Sequence, residues 1–248
     1  MFKNLNFFEF FKDIILPPIC TVCGKINSEL LCQECYAKVK MRQKVICNLC
    51  GKPFLDYNHM DSSFDKSRNY IKICALCKNE SFNFYRLRSF SLYGRELKKI
   101  IHKYKYNKIY SISKILINFL KQAYSKYYRR EDIDYIETVP DFVSAGSEGI
   151  QNHMQVIAEK LSDVLNIPFI NNIIKIKKTS RQQKLNLFQR KSNLKEAFKV
   201  RNNLLVSGKN ILLIDDVWTT GTTLNEISTV LKKSGANNIY LLVIARGA

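Results

Sequence analysis

Ile211-Leu-Leu-Ile-Asp-Asp-Val-Trp-Thr-Thr-Gly-Thr-Thr-Leu224 reads as a strand, a tight turn and the start of a helix. Ile211 to Ile214 run apolar without alternation, as in a strand buried on both faces. Asp215 and Asp216 stand at its carboxyl end, where open α/β sheets bind ligands. Thr219, Thr220, Gly221, Thr222 and Thr223 make a small, hydroxyl-rich turn. The helix that follows places Leu224, Ile227, Val230 and Leu231 on one face and stops at Gly235.

A tight turn feeding a helix N-terminus aims several backbone N–H groups into one concavity, and the helix dipole adds partial positive charge. The threonine hydroxyls supply more donors. This arrangement suits a phosphate monoester. Two carboxylates just before it repel phosphate but suit sugar hydroxyls, at roughly 1.5–3 kcal/mol per charge-assisted hydrogen bond. A 5-phosphorylated ribose satisfies both halves.

Outward from this stretch, a chain of 248 residues has room for one medium α/β domain and a small accessory module. Its net charge of +19, from 40 basic and 21 acidic side chains, favours polyanions such as nucleic acid or an anionic membrane surface. Lys3, Glu9, Lys12 and Asp13 interrupt the apolar N-terminal stretch, so no run is long enough for a signal sequence or a membrane span. Met1 to Leu16 is expected to form a short amphipathic helix on the body of a cytoplasmic protein.

All eight cysteines fall in the first third, as Cys20-x-x-Cys23, Cys32-x-x-Cys35, Cys47-x-x-Cys50 and Cys74-x-x-Cys77. In a cytoplasmic chain this spacing points to metal rather than to disulfides. Two CxxC turns complete a tetrahedral Cys₄ zinc site with no open position, which makes the metal structural. Two Zn²⁺ sites follow. Sequential pairing puts Cys20, Cys23, Cys32 and Cys35 on one ion and Cys47, Cys50, Cys74 and Cys77 on the other, and spacing alone leaves cross-bracing open. Gly24 and Gly51 follow the first pair of each set, where the turn needs a positive φ.

From Phe84 onward strands and helices alternate. Strands are expected over Tyr85–Tyr93, by its alternation, and over Ile133–Val139, Ile173–Ile176 and Ile239–Ala245, with helices over Arg95–Tyr104, Ile112–Tyr124 and His153–Leu165 and a very basic stretch, Lys175 to Arg201, leading to the Ile211 strand. Met154, Ile157, Leu161 and Val164 form the inward face of the last helix. The alternation gives an α/β fold with a mostly parallel sheet. His59, His102 and His153 lack carboxylate or cysteine spacing and are expected to be neither ligands nor bases. Tyr104, Tyr106 and Tyr110 interleave with Lys103, Lys105 and Lys108, a mixture that suits single-stranded nucleic acid as well as a solvated basic face. With Lys98 and Lys99, and with Lys175, Lys177, Lys178, Arg181 and Lys184, they are expected to border the pocket as a basic groove.

Asp215-Asp-Val-Trp-Thr-Thr-Gly-Thr-Thr223 resembles the phosphoribosyl-pyrophosphate (PRPP) signature of type I phosphoribosyltransferases. The paired cysteines, the Lys105-Tyr106 segment and the Gln182, Leu185, Arg190, Asn193, Phe198 series extend the likeness to the ComF family of competence proteins. The resemblance implies a type I phosphoribosyltransferase fold in an 81–248 domain, preceded by a 1–80 module holding the N-terminal helix and a double zinc ribbon. It implies that Asp215 and Asp216 hold the ribose hydroxyls of PRPP or ribose 5-phosphate, and that Thr219, Thr220, Gly221, Thr222 and Thr223 hold the 5-phosphate. Catalysis would be displacement of pyrophosphate from C1 of PRPP with Mg²⁺, the two aspartates stabilising charge that develops on the ring. The implied setting is natural transformation or recombination, with single-stranded DNA and competence or recombination proteins as partners.

One segment departs from the family pattern, which reads Val-Pro-Val-Pro, then basic residues, then Arg-Gly-Phe-Asn-Gln. Here Val139-Pro140-Asp141-Phe142 leads to Glu148-Gly149-Ile150-Gln151-Asn152, with no Lys or Arg between Asp141 and Gln151. Asp141 and Glu148 would repel magnesium-bound pyrophosphate. Two readings therefore stay open: a PRPP-dependent transferase, and a non-catalytic DNA-binding adaptor with a degenerate loop. A nucleobase-salvage transferase is a third, against which the zinc ribbons argue.

Overall fold

The computed structural model describes residues 18–40, 45–54, 72–107, 109–140, 152–179 and 187–247. Its elements are α1 (Gln33–Val39), α2 (Ala75–Asn79), β1 (Arg86–Leu92), α3 (Arg95–Asn107), α4 (Ser113–Tyr127), β2 (Tyr135–Thr138), α5 (His153–Leu165), β3 (Ile173–Lys175), α6 (Leu187–Leu194), β4 (Phe198–Val200), β5 (Ile211–Trp218), α7 (Thr222–Lys233) and β6 (Ile239–Arg246). The expected Met1–Leu16 helix and the Asp141–Gln151 loop lie outside the described residues, as do Lys108, Arg181 and Lys184.

The apolar runs of β5 and β6 form the middle of a four-stranded sheet in the order β1-β6-β5-β2, with every pairing parallel. Neighbouring residues feed opposite layers. Leu212, Ile214, Leu242 and Ile244 pack with α3, α4 and α5, while Ile211, Leu213, Leu241 and Val243 pack with α7 and the β3–β4 pair. Burial on both faces explains why β5 and β6 lack polar alternation.

Both sheet edges are covered, which removes the hazard of unpaired strand backbone. On β1 the Leu87 amide donates to the Leu49 carbonyl at 2.7 Å, and the Ser91 hydroxyl donates to the Val39 carbonyl. That cover also explains a difference from the sequence reading: the five central residues of β1 are all buried, without alternation. On β2 the Ile136 amide donates to Pro168 at 2.9 Å, and the Ile170 amide returns a bond to Ile136 at 3.1 Å.

Three other expectations need correcting. Ile173–Ile176 was expected in the main sheet, but β3 pairs antiparallel with β4 in a separate two-stranded sheet. The basic stretch before β5 holds α6 and β4, whose few apolar residues were hidden among the lysines. Val164 is 43% exposed, and Ala158 takes its place on the buried face of α5.

The cysteine segment does not stand apart from this body. Cys20, Leu31, Cys35 and Val39 join the core formed with α3, α4 and α5. The Tyr36 hydroxyl also donates to Gln122 Oε1 on α4 at 2.6 Å.

Candidate functional site

The two knuckles are built alike. Cys20 N–H donates to Lys25 O at 2.8 Å and Gly24 N–H to Cys20 O at 2.9 Å; Cys47 pairs with Lys52 at 2.7 Å and Gly51 with Cys47 at 2.9 Å. Gly24 (φ 76°) and Gly51 (φ 66°) supply the left-handed turn. At Gly51 a side chain would also meet the Leu87 carbonyl at 3.1 Å, so the knuckle packs closely on β1. Cys32 and Cys74 then open α1 and α2.

These turns gather the sulfur atoms of Cys20, Cys23, Cys32 and Cys35 into one cluster and those of Cys47, Cys50, Cys74 and Cys77 into another, each within 4.8 Å. A tetrahedral site with Zn–S bonds near 2.3 Å needs sulfurs about 3.8 Å apart. Cys23 and Cys32 are 3.9 Å apart, and Cys50 and Cys74 are 3.6 Å apart. Amides of Cys32 and Cys74 donate to Cys20 Sγ at 3.5 Å and Cys47 Sγ at 3.4 Å, as befits thiolates. Two structural zinc ions fit, paired sequentially.

The second centre is a cavity of about 250 Å³ at the carboxyl ends of β2 and β5, bordered by the N-termini of α5 and α7. Thr219 to Thr223 form its floor, and Gly221 is the N-cap of α7 with φ 78°. No side chain caps this helix, so its N-terminus is presented to the cavity by backbone groups. The hydroxyls of Thr220 and Thr222 lie 3.1 Å apart. Trp218 lies beneath the turn and is fully buried against Phe82 and Phe84, at ring distances of 5.9 and 5.6 Å. A Cβ on Gly221 would sit 2.0 Å from Trp218 Cη2, so glycine is required both for φ and for the indole below it.

The carboxylates of Asp215 and Asp216 line the same cavity. Asp215 Oδ1 accepts the Asp216 amide at 2.8 Å. Asp216 is buried, and its Oδ2 lies 2.7 Å from Lys105 Nζ and 3.5 Å from His153 Nε2. Burial pushes the Asp216 carboxyl up, but the neighbouring His153 ring and the Lys105 ammonium outweigh it and hold the group well below the usual carboxylate range. Burial likewise pulls Lys105 down, and Asp216 more than reverses this, so its ammonium titrates above the ordinary lysine value. A carboxylate has about four lone-pair sites, so Asp216 retains capacity for a ligand hydroxyl.

The structure thus brings Asp215, Asp216, Thr219, Thr220, Gly221, Thr222 and Thr223 around one cavity. Two residues at that cavity were assigned elsewhere by the sequence reading. His153, expected to have no site role, faces Asp216; its place at the N-terminus of α5 was the available clue. Lys105 was placed on a nucleic-acid groove, and it points inward because α3 ends over the β5 terminus. Of the expected basic groove, Lys105 and Lys175 line this cavity, and Lys108, Arg181 and Lys184 lie outside the described residues. Tyr104 is buried with its hydroxyl on the His153 carbonyl at 2.8 Å, and Lys103 donates to the Thr21 carbonyl at 2.7 Å. On α3, Lys98, Lys99 and Tyr106 remain exposed.

Exposed basic residues also gather along α4 and just beyond it: Lys114, Lys121, Lys126, Arg129 and Arg130. A second cavity beside α4 is lined by Lys40, Lys121 and Lys126 together with Asn118, Gln122 and Tyr127, and among the described residues no carboxylate lines it. Lys126 Nζ sits 4.8 Å from the Tyr127 ring centre. Among the described residues, no helix is long and apolar enough to cross a membrane.

A parallel sheet with a threonine-rich turn and an acidic pair at the end of its central strand is the type I phosphoribosyltransferase fold, here joined to paired cysteine knuckles. The chain matches the "Double zinc ribbon domain" family over residues 11–78 and the "Phosphoribosyl transferase domain" family over residues 149–248. Competence protein F of Haemophilus influenzae is 28% identical over 224 residues, 87% of this chain and 96% of that protein. DNA utilization protein YhgH of Salmonella typhimurium is 25% identical over 240 residues, 94% of this chain and 99% of that protein. The chain belongs to the ComF family. A solved glutamine PRPP amidotransferase from B. subtilis overlaps 54% of this chain and 26% of its own, at 21% identity and a TM-score of 0.37, too slight to bear on the site.

Proposed function

We propose that the pocket binds the 5-phosphoribosyl group of PRPP or ribose 5-phosphate, and that the protein acts with single-stranded DNA in DNA uptake or utilisation. The observation that carries the ligand is the convergence on one cavity of the α7 N-terminus, the threonine turn and the Asp215–Asp216 pair. The turn and helix N-terminus receive the 5-phosphate. Asp215 and Asp216 accept the ribose 2- and 3-hydroxyls, with Lys105 holding Asp216 ionised and in place. Lys105 also brings positive charge beside the aspartates, where the pyrophosphate of PRPP would need it.

Support for the DNA role comes from the relatives named for competence and for DNA utilization, and from the net charge of +19. The exposed lysines of α4 beside Tyr127 suit a phosphodiester backbone with bases stacked alongside. The adaptor reading is favoured by one observation: the 141–151 segment contains no Lys or Arg to grip pyrophosphate.

Titration of magnesium–PRPP and of ribose 5-phosphate into the pure protein tests the pocket. Saturation at 100 times Kd should stabilise the fold by about 2.7 kcal/mol. Asp215→Asn with Asp216→Asn should remove that gain. Stabilisation that survives the double variant would place the ligand elsewhere. Release of pyrophosphate in the same mixture separates a transferase from an adaptor.

A further inference from the structure

We propose that the second cysteine cluster positions the phosphate turn, and that Arg246 transmits its state. Arg246 ends β6 and is only 3% exposed. Its guanidinium leaves the sheet and enters the second knuckle. Nε donates to the Cys50 carbonyl at 3.0 Å, and Nη2 donates to Cys50 Sγ at 3.3 Å. Four thiolates around a divalent zinc carry a net charge of about −2. A buried guanidinium against one of them offsets that charge and orients the ligand, as partners of metal ligands commonly do.

On its other side Arg246 stands opposite Trp218 in the β5–β6 register. Nη1 donates to the Gly247 carbonyl at 2.6 Å, and the Gly247 amide donates to the Trp218 carbonyl at 2.7 Å. The Trp218 indole then supports Gly221 from below. Phe82 runs in parallel, packing against the second cluster and lying 5.9 Å from Trp218. The path from Cys50 to the turn therefore consists of hydrogen bonds and close packing throughout. The first cluster connects differently: Lys103 joins its knuckle to α3, the helix whose Lys105 serves the aspartates. Zinc in the second cluster would thus govern the phosphate half of the pocket. The identity of the ligand rests on the function proposed above, while the coupling rests on the geometry.

The test uses the full chain. Trp218 is its only tryptophan, so emission and acrylamide quenching report from under the turn. Arg246→Gln should keep its circular dichroism, release one of two zinc ions faster to a chromophoric chelator, red-shift Trp218 and weaken ribose 5-phosphate binding about tenfold. Arg246→Lys, which keeps the charge with fewer donors, should recover part of each effect. Wild-type emission and quenching in a folded Arg246→Gln would overturn the proposal. If that variant fails to fold, chelation of the wild type decides: Trp218 must change with release of one zinc and not the other. A change that follows both ions equally, or neither, overturns it. Wild-type protein that ignores ribose 5-phosphate would remove the proposed ligand, and the emission and zinc-release measurements would still decide the coupling.

Discussion

Lys105 Nζ meets Asp216 Oδ2 at 2.7 Å across 111 residues of sequence, tying the end of α3 to the end of β5 inside the pocket. The pair is unequally buried, with the Lys105 side chain 34% exposed and Asp216 11%. Breaking a fully buried pair costs roughly 3–5 kcal/mol, because one charge is left alone. Partial exposure of Lys105 reduces this, and Lys105→Met is expected to destabilise the protein by about 2–3 kcal/mol. A double-mutant cycle with Asp216→Asn should give a coupling of about 1–3 kcal/mol. The acid limb follows from the depressed Asp216 carboxyl: its stabilisation is present above the ordinary value of 3.8 and lost as pH falls through the lower folded value. Lys105→Met should move acid unfolding to higher pH. Additive single variants with unchanged acid unfolding would show that the contact contributes nothing.

Gly221→Ala should be among the more damaging single changes in the protein. Its φ of 78° disfavours a side chain, and the new Cβ would overlap the Trp218 ring at 2.0 Å. Strain and overpacking together are expected to cost about 2 kcal/mol or more, with loss of ribose 5-phosphate binding. Thermal unfolding and the ligand titration read the two effects separately. A fully stable variant that binds the ligand would mean the indole is free to move aside.

Glu137 on β2 gives a second pH effect, opposite in sign. Burial pushes its carboxyl up to about 7, against the pull of amide donors from Thr138, Asn172 and Ile173 and of Arg201. The Thr138 and Asn172 amides lie 2.9 and 2.5 Å from its oxygens, so Glu137 ties β2 to the start of β3. A raised folded pKa stabilises the protonated form. That contribution is fully present below 4.5 and is lost as pH rises through 7. It amounts to about 3 kcal/mol. Glu137→Gln should flatten the decline in melting temperature between pH 5 and 8, even if it lowers stability overall. An unchanged slope would show that another group sets it.

Single-stranded DNA should bind along α4. Its affinity should fall linearly with salt on logarithmic axes, at about −0.7 per neutralised phosphate. Lys114→Ala, Lys121→Ala and Lys126→Ala together should reduce the slope by about 2. Lys103→Ala should leave it unchanged, because that ammonium is held by the Thr21 carbonyl. The reverse pattern, measured by fluorescence anisotropy, would return the DNA surface to α3.

The local chemistry of this protein could be read from residues close together in the chain. A CxxC turn is its own metal half-site, and Ile211 to Ile214 state their burial by lacking alternation. The Thr219–Thr223 turn could be found for the same reason, since the turn and the helix start after it are made by consecutive residues. What sequence could not supply was which side chains come to these groups from elsewhere. Lys103, Lys105 and Lys121 are the same residue type in helical stretches, yet one binds a knuckle carbonyl, one an aspartate and one is exposed. Their fates depend on where α3 and α4 pack on the sheet, which residue type does not encode. The same holds for His153 beside Asp216 and for Arg246 on Cys50, the latter a contact spanning 196 residues. Such pairs form only when strand order and helix docking have brought distant segments together, because hydrogen bonds and ion pairs act over a few ångströms while the chain separates their partners by most of its length.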